Sequence, residues 1–215
     1  MKSKQPPYEN MKFIGIKKLG IVCPGPGRPY AAIALRSDNI LFVPFCEPIK
    51  RIDTLADKII ELAVAHKIPG TYRTITIDGA DEGPELCEKL KPLLGKNLLV
   101  TRDQETCFST FPWEMQYEPP YRFFNRRAES FWNLMQWLKA PGKVVSGLEN
   151  IDRIWREHRV GGRMAAPERE MLESEGINAS GVEAAAITFA CDAAVPEDYE
   201  QPPTEPMFDY GSGIQ

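Results

Sequence analysis

The chain has 215 residues, of which 43% are hydrophobic and 10% aromatic, and its formal net charge is −4. This length suits one substantial α/β core, no apolar run is long enough to cross a bilayer, and the first ten residues, MKSKQPPYEN, lack the apolar stretch of a signal peptide. Five scattered cysteines without a C-x-x-C pair and only two histidines exclude a disulfide framework, a thiolate zinc site and a histidine-rich metal site, and they favour a cytoplasmic protein.

Residues 1–11 predict a flexible leader, after which the chain reads as short strands separated by turns. The runs KFIGI, LGIV, YAAIALR and ILFVPF are rich in strand-forming side chains, and RSDN at 36–39 predicts a hairpin turn. The glycine-containing loop PGPGRP follows the second run. Because it leads into another strand pattern, no helix N-terminus is available there for an anion, and we interpret the loop as a turn.

Helices and strands alternate in the next part of the chain. RIDTLADKIIELAVAHK has apolar residues at helical spacing, and GPELCEKLKPLLG has a proline near its start and a glycine just past its end, so both predict helices. YRTITIDGA, which ends at Asp78, and NLLVT predict buried strands. The remaining predicted helical segments are YRFFNRRAESFWNLMQWLKA, GLENIDRIWREHR, PEREMLESEG and NASGVEAAAITFACDA.

The last segment, residues 195–215, is proline-rich and acidic, and we expect it to be disordered. It holds five of the 30 acidic residues and no Lys or Arg. The rest of the chain therefore has 25 acidic and 26 basic residues. The order of elements predicts one α/β domain over residues 12–194, with a mixed sheet flanked by helices. The sequence has no Walker A motif.

Three stretches carry a family resemblance. TITIDGADEGPELCEKL is a strand that ends in Asp followed by a glycine turn and a helix, YRFFNRRAESFWNLMQWL contains a phenylalanine-asparagine-basic-arginine-alanine-glutamate run, and LESEGINASGVEAAAITFA leads into an apolar helix. Together with the strand–turn–strand segment LGIVCPGPGRPYAAIAL at 19–35, which we call the opening hairpin, they resemble the nuclease domain of the large terminase subunit of tailed bacteriophages. The resemblance implies a ribonuclease H-like fold over nearly the whole ordered chain, and DNA packaging as the biological setting.

The resemblance also shows where this sequence departs from the family pattern. An aspartate ends the first strand in that family, and Cys23 stands at its place here, or Val22 if the turn is aligned one residue earlier. The second carboxylate is kept as Asp78. In the closing motif Ser180 replaces the first aspartate, and Glu183 stands where the second would be. The resemblance therefore implies a degenerate site in which Asp78 and Glu183 are the candidate catalytic residues.

Phosphodiester hydrolysis by two metals places the ions about 3.5–4 Å apart, held by carboxylate oxygens. Replacing the bridging aspartate with a thiol swaps a hard anion for a soft, mostly protonated group. Asp78, Asp81 and Glu183 are the candidate metal ligands, and Glu82 and Glu47 are further substitutes. We expect Mg²⁺ or Mn²⁺ if the site is competent and otherwise no cofactor. Asp78 is also typical of a strand end before a turn, and Cys23 of a small buried side chain.

Basic residues cluster on the helix that carries the asparagine-arginine run and on the segment after it. If they face the carboxylates, they would hold phosphates of double-stranded DNA by charge; on a solvated helix face they would pair with acids such as Glu129, Glu149 and Glu157. The candidate nucleic-acid-binding residues are Arg126, Arg127, Arg153, Arg156, Arg159 and Arg163.

Two functions follow as hypotheses. The first is a non-catalytic binding or assembly protein in phage DNA packaging or regulation, which docks on a partner such as another phage protein through its acidic tail. A complete large terminase carries its ATPase in the same chain, so we expect this chain alone not to drive packaging. The second is a Mg²⁺- or Mn²⁺-dependent endonuclease that uses Asp78, Glu183 and a relocated ligand such as Asp81. The missing first carboxylate favours the first hypothesis.

Overall fold

The computed structural model describes residues 12–26, 28–69, 74–100, 126–151, 153, 158–160 and 163–190. The predicted leader at 1–11 and the predicted tail at 195–215 lie outside these ranges, as do residues 191–194 at the end of the predicted domain. Among the helices of the described ranges, none combines the length and the apolar character that crossing a bilayer requires.

A six-stranded mixed sheet forms the centre of the domain, in the order β5-β4-β1-β2-β3-β6. Neighbours β1 with β2 and β2 with β3 are antiparallel, whereas the other three neighbouring pairs are parallel. The predicted turn between β2 and β3 is confirmed by a hydrogen bond of 2.8 Å that the Ser37 N–H donates to the Ile40 carbonyl. The six strands are β1 Lys18–Val22, β2 Ala31–Arg36, β3 Ile40–Glu47, β4 Ile75–Ile77, β5 Leu98–Val100 and β6 Val144–Ser146.

Helices cover both faces of this sheet, and a small separate hairpin follows it. The hairpin pairs β7 His158–Val160 with β8 Arg163–Ala165 in antiparallel register. A 3₁₀ turn, Gly95–Asn97, leads into β5. The helices of the described residues are α1 Ile52–Ala65, α2 Gly83–Leu94, α3 Arg126–Lys139, α4 Arg169–Ser174 and α5 Ala179–Ile187.

The sheet separates two hydrophobic cores, because successive side chains of a strand point to opposite faces. Leu19 and Ile21 of β1 pack with α1 and α2 in one core, which we call the α1/α2 core. Val22 packs with α3 and α5 in the other, which we call the α3/α5 core. The helical spacing of the α1 sequence is thereby explained, since Leu55, Ile59 and the other apolar residues of that stripe all enter the α1/α2 core.

Helix α5 lies directly on the centre of the sheet, and all nine of its residues are buried. The close approach depends on Gly20 in β1, where an added Cβ would lie 2.2 Å from the Ala184 carbonyl oxygen. Small residues on both elements thus allow the backbones to approach, which brings the side chains of α5 within reach of the ends of β1 and β4.

Three local predictions were wrong. KFIGI is not a strand, and Ile14 and Ile16 are more than half exposed. β6 was not predicted; it forms because Val144 to Ser146 pair in parallel with β3. The segment GLENIDRIWREHR is not one helix, since Gly147 at its start has φ +76° and its last residues begin β7. β6 pairs with a strand that is distant in the chain, and β7 and β8 are only three residues long, so periodicity does not reveal them.

Candidate functional site

Asp78 follows β4 directly and points to the α5 side of the sheet. Its N–H donates to the Ile21 carbonyl at 2.9 Å, and its side chain is only 4% exposed. Ile75 and Ile77 pack in the α1/α2 core, so the alternation along β4 directs Asp78 to the opposite face. Beyond it the chain turns so tightly into α2 that a Cβ on Gly83 would lie 1.8 Å from the Asp78 carbonyl oxygen.

Glu183 reaches the same place from α5. The helix begins after Asn178, whose Oδ1 accepts a hydrogen bond of 3.0 Å from the Gly181 N–H, as an N-cap does. This cap fixes the start of α5 and therefore which side chain of its second turn faces the sheet. The Glu183 side chain is 6% exposed. The predicted convergence of Asp78 and Glu183 is present in the structure, because both carboxylates contact one guanidinium group.

That guanidinium belongs to Arg28, in the loop between β1 and β2. Its Nη1 donates to Asp78 Oδ2 at 2.7 Å and lies 3.7 Å from Asp81 Oδ2, and its Nε lies 3.7 Å from Glu183 Oε2. Two backbone hydrogen bonds between Gly25 and Arg28, of 3.0 and 2.9 Å, close the loop. Arg28 therefore stands between three carboxylates, in a loop for which the sequence predicted only a turn.

Two further arginines bind Glu183 from α3 and α4. Arg127 Nη2 donates to Glu183 Oε1 at 3.1 Å and to the Pro167 carbonyl at 3.0 Å. Arg169 Nη2 donates to Glu183 Oε2 at 2.5 Å, and its Nη1 donates to Ser180 Oγ at 3.1 Å. The six charged side chains together are the carboxylate–arginine cluster: Asp78, Asp81, Glu183, Arg28, Arg127 and Arg169. Its three acids and three arginines carry formal charges that sum to zero.

Burial and opposite charge act against each other on the protonation of Asp78 and Arg28. Burial raises the pKa of Asp78, and the Arg28 guanidinium opposes that shift. For Arg28, burial alone would lower the pKa, but the carboxylates of Glu183 and Asp78 outweigh it and raise the pKa above its ordinary value. Arg28 is therefore a permanent cation. Asp78 Oδ1 is buried and has no hydrogen-bond partner within the described residues.

The end of β1 decides which residue shares a face with Asp78. In the parallel pairing of β1 with β4, Ile21 lies opposite Ile77, so continuing the register sets Val22 beside Asp78. Val22 belongs to the α3/α5 core, whereas Cys23 packs in the α1/α2 core on the other side of the sheet. This geometry agrees with the alignment that places Val22, and not Cys23, at the position of the family's first aspartate.

Cys23 is an inert thiol in this environment. It is 1% exposed. Burial, followed by the charge of Asp78, raises the pKa of Cys23 to about 12, so the thiol is protonated at neutral pH. This agrees with the interpretation of Cys23 as a small buried side chain.

The predicted metal ligands Asp78, Asp81 and Glu183 lie together in the structure, but around an arginine. Over the ranges that the structure describes, no three or more His, Cys, Asp or Glu side chains form a group able to hold a metal ion. Asp78, Asp81 and Glu183 do lie around one point, but the Arg28 guanidinium fills it. In this arrangement the carboxylates do not fit a pair of divalent ions.

The predicted nucleic-acid-binding arginines divide into three groups. Arg127 faces inward in the carboxylate–arginine cluster and is 13% exposed. Arg153 is exposed and donates to the Glu175 carbonyl at 3.2 Å. The remaining side chains lie outside the described part of the chain: Arg126, Arg156, Arg159 and Arg163.

Sequence reasoning missed Arg28 and Arg169, and assigned Arg127 to a surface. The signal that would have found them is the buried acids themselves, because a buried carboxylate requires a cation or several hydrogen-bond donors. Arg28 is the first cation in the chain after the end of β1 and was open to that argument.

No protein-family model and no curated protein matches the sequence. Solved structures do. The nuclease domain of the large terminase subunit gp2 of bacterial virus Sf6 aligns with a TM-score of 0.54 and 17% identity over 85% of this chain and 90% of that chain. A mutant of the same domain, solved with manganese and beta-thujaplicinol, aligns with a TM-score of 0.57 and 16% identity over 84% and 89% of the two chains. A form with calcium gives a TM-score of 0.56 at 16% identity.

The chain has the terminase-nuclease fold. The predicted α/β, ribonuclease H-like class and the resemblance to large terminase nuclease domains are confirmed at this level. The alignments cover most of both molecules.

Proposed function

We propose that this protein is a non-catalytic member of the terminase-nuclease fold that binds DNA or a packaging partner without cutting DNA. The observation that carries the proposal is Val22. On the face of the sheet where Asp78 and Glu183 meet, the side chain beside Asp78 at the end of β1 is an isopropyl group and not a carboxylate.

A valine at this position removes the charge that a pair of hard divalent ions needs. Such ions require oxygen ligands, and two ions sharing a site need an anionic oxygen between them. Val22 is fully buried and supplies no oxygen. Asp81, the candidate substitute that lies beside Asp78 in this site, has its carboxylate near Arg28 instead.

The remaining carboxylates support the same proposal. Glu183 accepts hydrogen bonds from both Arg127 and Arg169, and Asp78 Oδ2 accepts one from Arg28. A metal ion could enter only after these charge-assisted hydrogen bonds are broken in a buried place, and bonds of this kind are roughly twice as strong as neutral ones. The cluster thus supports a structural role for the two acids.

The partner class is proposed from the fold likeness and from charge. The similar proteins are large terminase subunits of a virus, and double-stranded DNA is therefore the nucleic acid that we propose. Arg153 and the other predicted basic residues (Arg126, Arg156, Arg159 and Arg163) would hold DNA phosphates, and the acidic segment 195–215 would dock on a protein of the packaging complex.

One observation favours the alternative, an active Mg²⁺- or Mn²⁺-dependent endonuclease. Asp78 Oδ1 is buried without a hydrogen-bond partner in the described structure, as a metal-ligating oxygen would be in the absence of its ion. In this hypothesis Asp78, Asp81 and Glu183 would hold the ion after Arg28 moves aside.

A plasmid-cleavage assay separates the two functions. The purified protein is incubated with supercoiled plasmid and Mn²⁺, beside an Asp78→Asn variant that keeps the side-chain shape and removes the charge. We expect equal, background nicking from both proteins. Nicking that is present in the unmodified protein and lost in Asp78→Asn would overturn the proposal.

A gel-shift assay tests the binding half of the proposal. Linear double-stranded DNA should be retarded in low salt and released as salt rises, because phosphate contacts displace counter-ions. Arg153→Glu should weaken the retardation, whereas Arg51→Glu, at another exposed arginine just before α1, serves as the matched control. Absence of any salt-sensitive retardation would refute DNA as the partner.

A further inference from the structure

We propose that Arg28 is a built-in cation that occupies the place of a divalent ion between Asp78, Asp81 and Glu183 and keeps such ions out. The inference rests on the proposed non-catalytic function and adds its physical cause. It concerns a single side chain, and it predicts that the removal of this side chain creates a cation site that the unmodified protein lacks.

The geometry is that of a cation among its ligands. Arg28 directs Nη1 at Asp78 Oδ2 (2.7 Å) and toward Asp81 Oδ2 (3.7 Å), and directs Nε toward Glu183 Oε2 (3.7 Å). A guanidinium presents its donors in a fixed planar fork, so one arginine engages several carboxylates at once. The three acids come from two parts of the fold, Asp78 and Asp81 from the turn between β4 and α2 and Glu183 from α5, and Arg28 faces all three.

Burial makes the exchange of Arg28 for a metal ion unfavourable. The side chains of Arg28, Asp78 and Glu183 are 12%, 4% and 6% exposed. A divalent ion added beside Arg28 would bring two positive charges into a cluster whose six formal charges already cancel. If Arg28 left first, its ion pairs with the buried carboxylates would be lost, and its loop would have to give up its present contacts.

The loop holds Arg28 in position. Gly25 and Arg28 exchange two backbone hydrogen bonds, and Gly25 packs so closely on Asp81 that a Cβ would lie 2.0 Å from Asp81 Cγ. The backbone of the loop is therefore fitted against one of the same carboxylates that Arg28 faces. Arg28 is a preorganised part of the site and not a surface side chain that happens to reach it.

Removal of the guanidinium should leave a site for one hard cation. Arg28→Met keeps an unbranched apolar chain but removes the charge, so three acids then face two arginines, with a formal sum of −1. Asp78 Oδ1 is already buried and unpartnered in the described structure, and oxygen ligands of this kind are the ones that Mn²⁺ accepts. We expect the variant to bind one Mn²⁺ ion.

The test is a titration with MnCl₂, followed both by calorimetry and by the thermal unfolding midpoint, so that it does not depend on any nuclease activity. Four proteins are compared: the unmodified chain, Arg28→Met, Arg28→Lys and the double variant Arg28→Met with Asp78→Asn. Arg153→Met is the matched control for the loss of one arginine elsewhere.

We expect Mn²⁺ to bind Arg28→Met at least about tenfold more tightly than the unmodified protein, a difference of about 1.4 kcal/mol. It should raise the unfolding midpoint of that variant alone. Arg28→Lys, which keeps the charge, Arg153→Met and the double variant should behave like the unmodified protein. If Arg28→Met is unfolded without metal, addition of Mn²⁺ should restore its helical circular dichroism.

The inference is overturned if the unmodified protein binds Mn²⁺ as tightly as Arg28→Met does, or if Arg28→Met gains neither binding nor structure from Mn²⁺. These results are separable from the fate of the proposed function. Tight Mn²⁺ binding by the unmodified protein without plasmid nicking would end the inference and leave the proposed function standing. Asp78-dependent nicking would end the proposed function whatever the titration shows.

Discussion

The two faces of the sheet are stabilised in different ways. The α1/α2 core is built from aliphatic and aromatic side chains that alternate on the strands and recur at helical spacing on α1. The opposite face combines a small-residue helix, α5, with buried charges at both ends. Arg36 binds the C-terminal end of α5 through Thr188 Oγ1 at 2.9 Å and the Thr188 carbonyl at 3.0 Å, and the carboxylate–arginine cluster binds its first turns.

The difference lies in how each face responds to a change. An apolar core loses stability in proportion to the volume that is removed, and it tolerates similar side chains. A buried ionic cluster is a set of mutually dependent partners, and removing one of them leaves an uncompensated charge. Substitutions on the two faces should therefore change the free energy of unfolding by similar amounts. They should differ in how that change depends on salt and pH.

The largest effect is expected at Glu183, because it is the common partner of three arginines. Glu183→Ala should lower the free energy of unfolding by about 3–5 kcal/mol, since Arg127 and Arg169 would remain buried without their counter-charge. Urea denaturation measures this. The penalty should shrink in molar salt, and a loss below about 1 kcal/mol would show that the cluster is not needed for folding.

A loss of similar size but different character is expected in the α1/α2 core. Ile59 is fully buried, so Ile59→Ala should cost about 2–5 kcal/mol through lost burial and the cavity that remains. This penalty should be the same at low and high salt. Val64→Ala, on an exposed position of the same helix, is the control and should change stability by no more than about 0.5 kcal/mol. Strong salt dependence at Ile59 would contradict the comparison of the two faces.

The Cys23 thiol should make stability sensitive to alkaline pH. Its folded pKa is raised to about 12 from 9.0, so its contribution is fully present below pH 9.0 and is lost as pH rises toward 12. Relative to Cys23→Ala, the unmodified protein should lose about 1.4 kcal/mol per pH unit above the unfolded thiol pKa. Paired denaturation curves measure the difference; a constant difference across this range would show that Cys23 is not buried as described.

The smallest effect is expected at the cap of α5. Asn178→Ala removes the hydrogen bond to the Gly181 N–H and should cost about 1 kcal/mol. Asn178→Asp keeps an accepting oxygen and should restore most of the loss. Because α5 carries Glu183, the free energy of unfolding of the alanine variant should also depend more strongly on salt. Equal stability of the alanine and aspartate variants would mean that the cap is not formed in solution.

The sheet and the long helices could be predicted because their signals are local. The apolar run of β2 and the apolar stripe of α1 are visible within a few residues, whereas Asp78 and Glu183 are candidates through the family resemblance. Arg28 and Arg169 could not be predicted in this way, because their partners lie far along the chain and a single arginine in a turn has no periodicity. The prediction missed β6 for the same reason, because this three-residue strand forms through its pairing with β3, which lies far away in the chain.

The most direct measurement is a crystal structure of the unmodified protein grown with MnCl₂, with anomalous scattering recorded at the manganese edge. We predict that Arg28 Nη1 remains within hydrogen-bond distance of Asp78 Oδ2 and that no anomalous peak lies between Asp78 and Glu183. A manganese peak coordinated by these two carboxylates, with Arg28 displaced from them, would contradict the account.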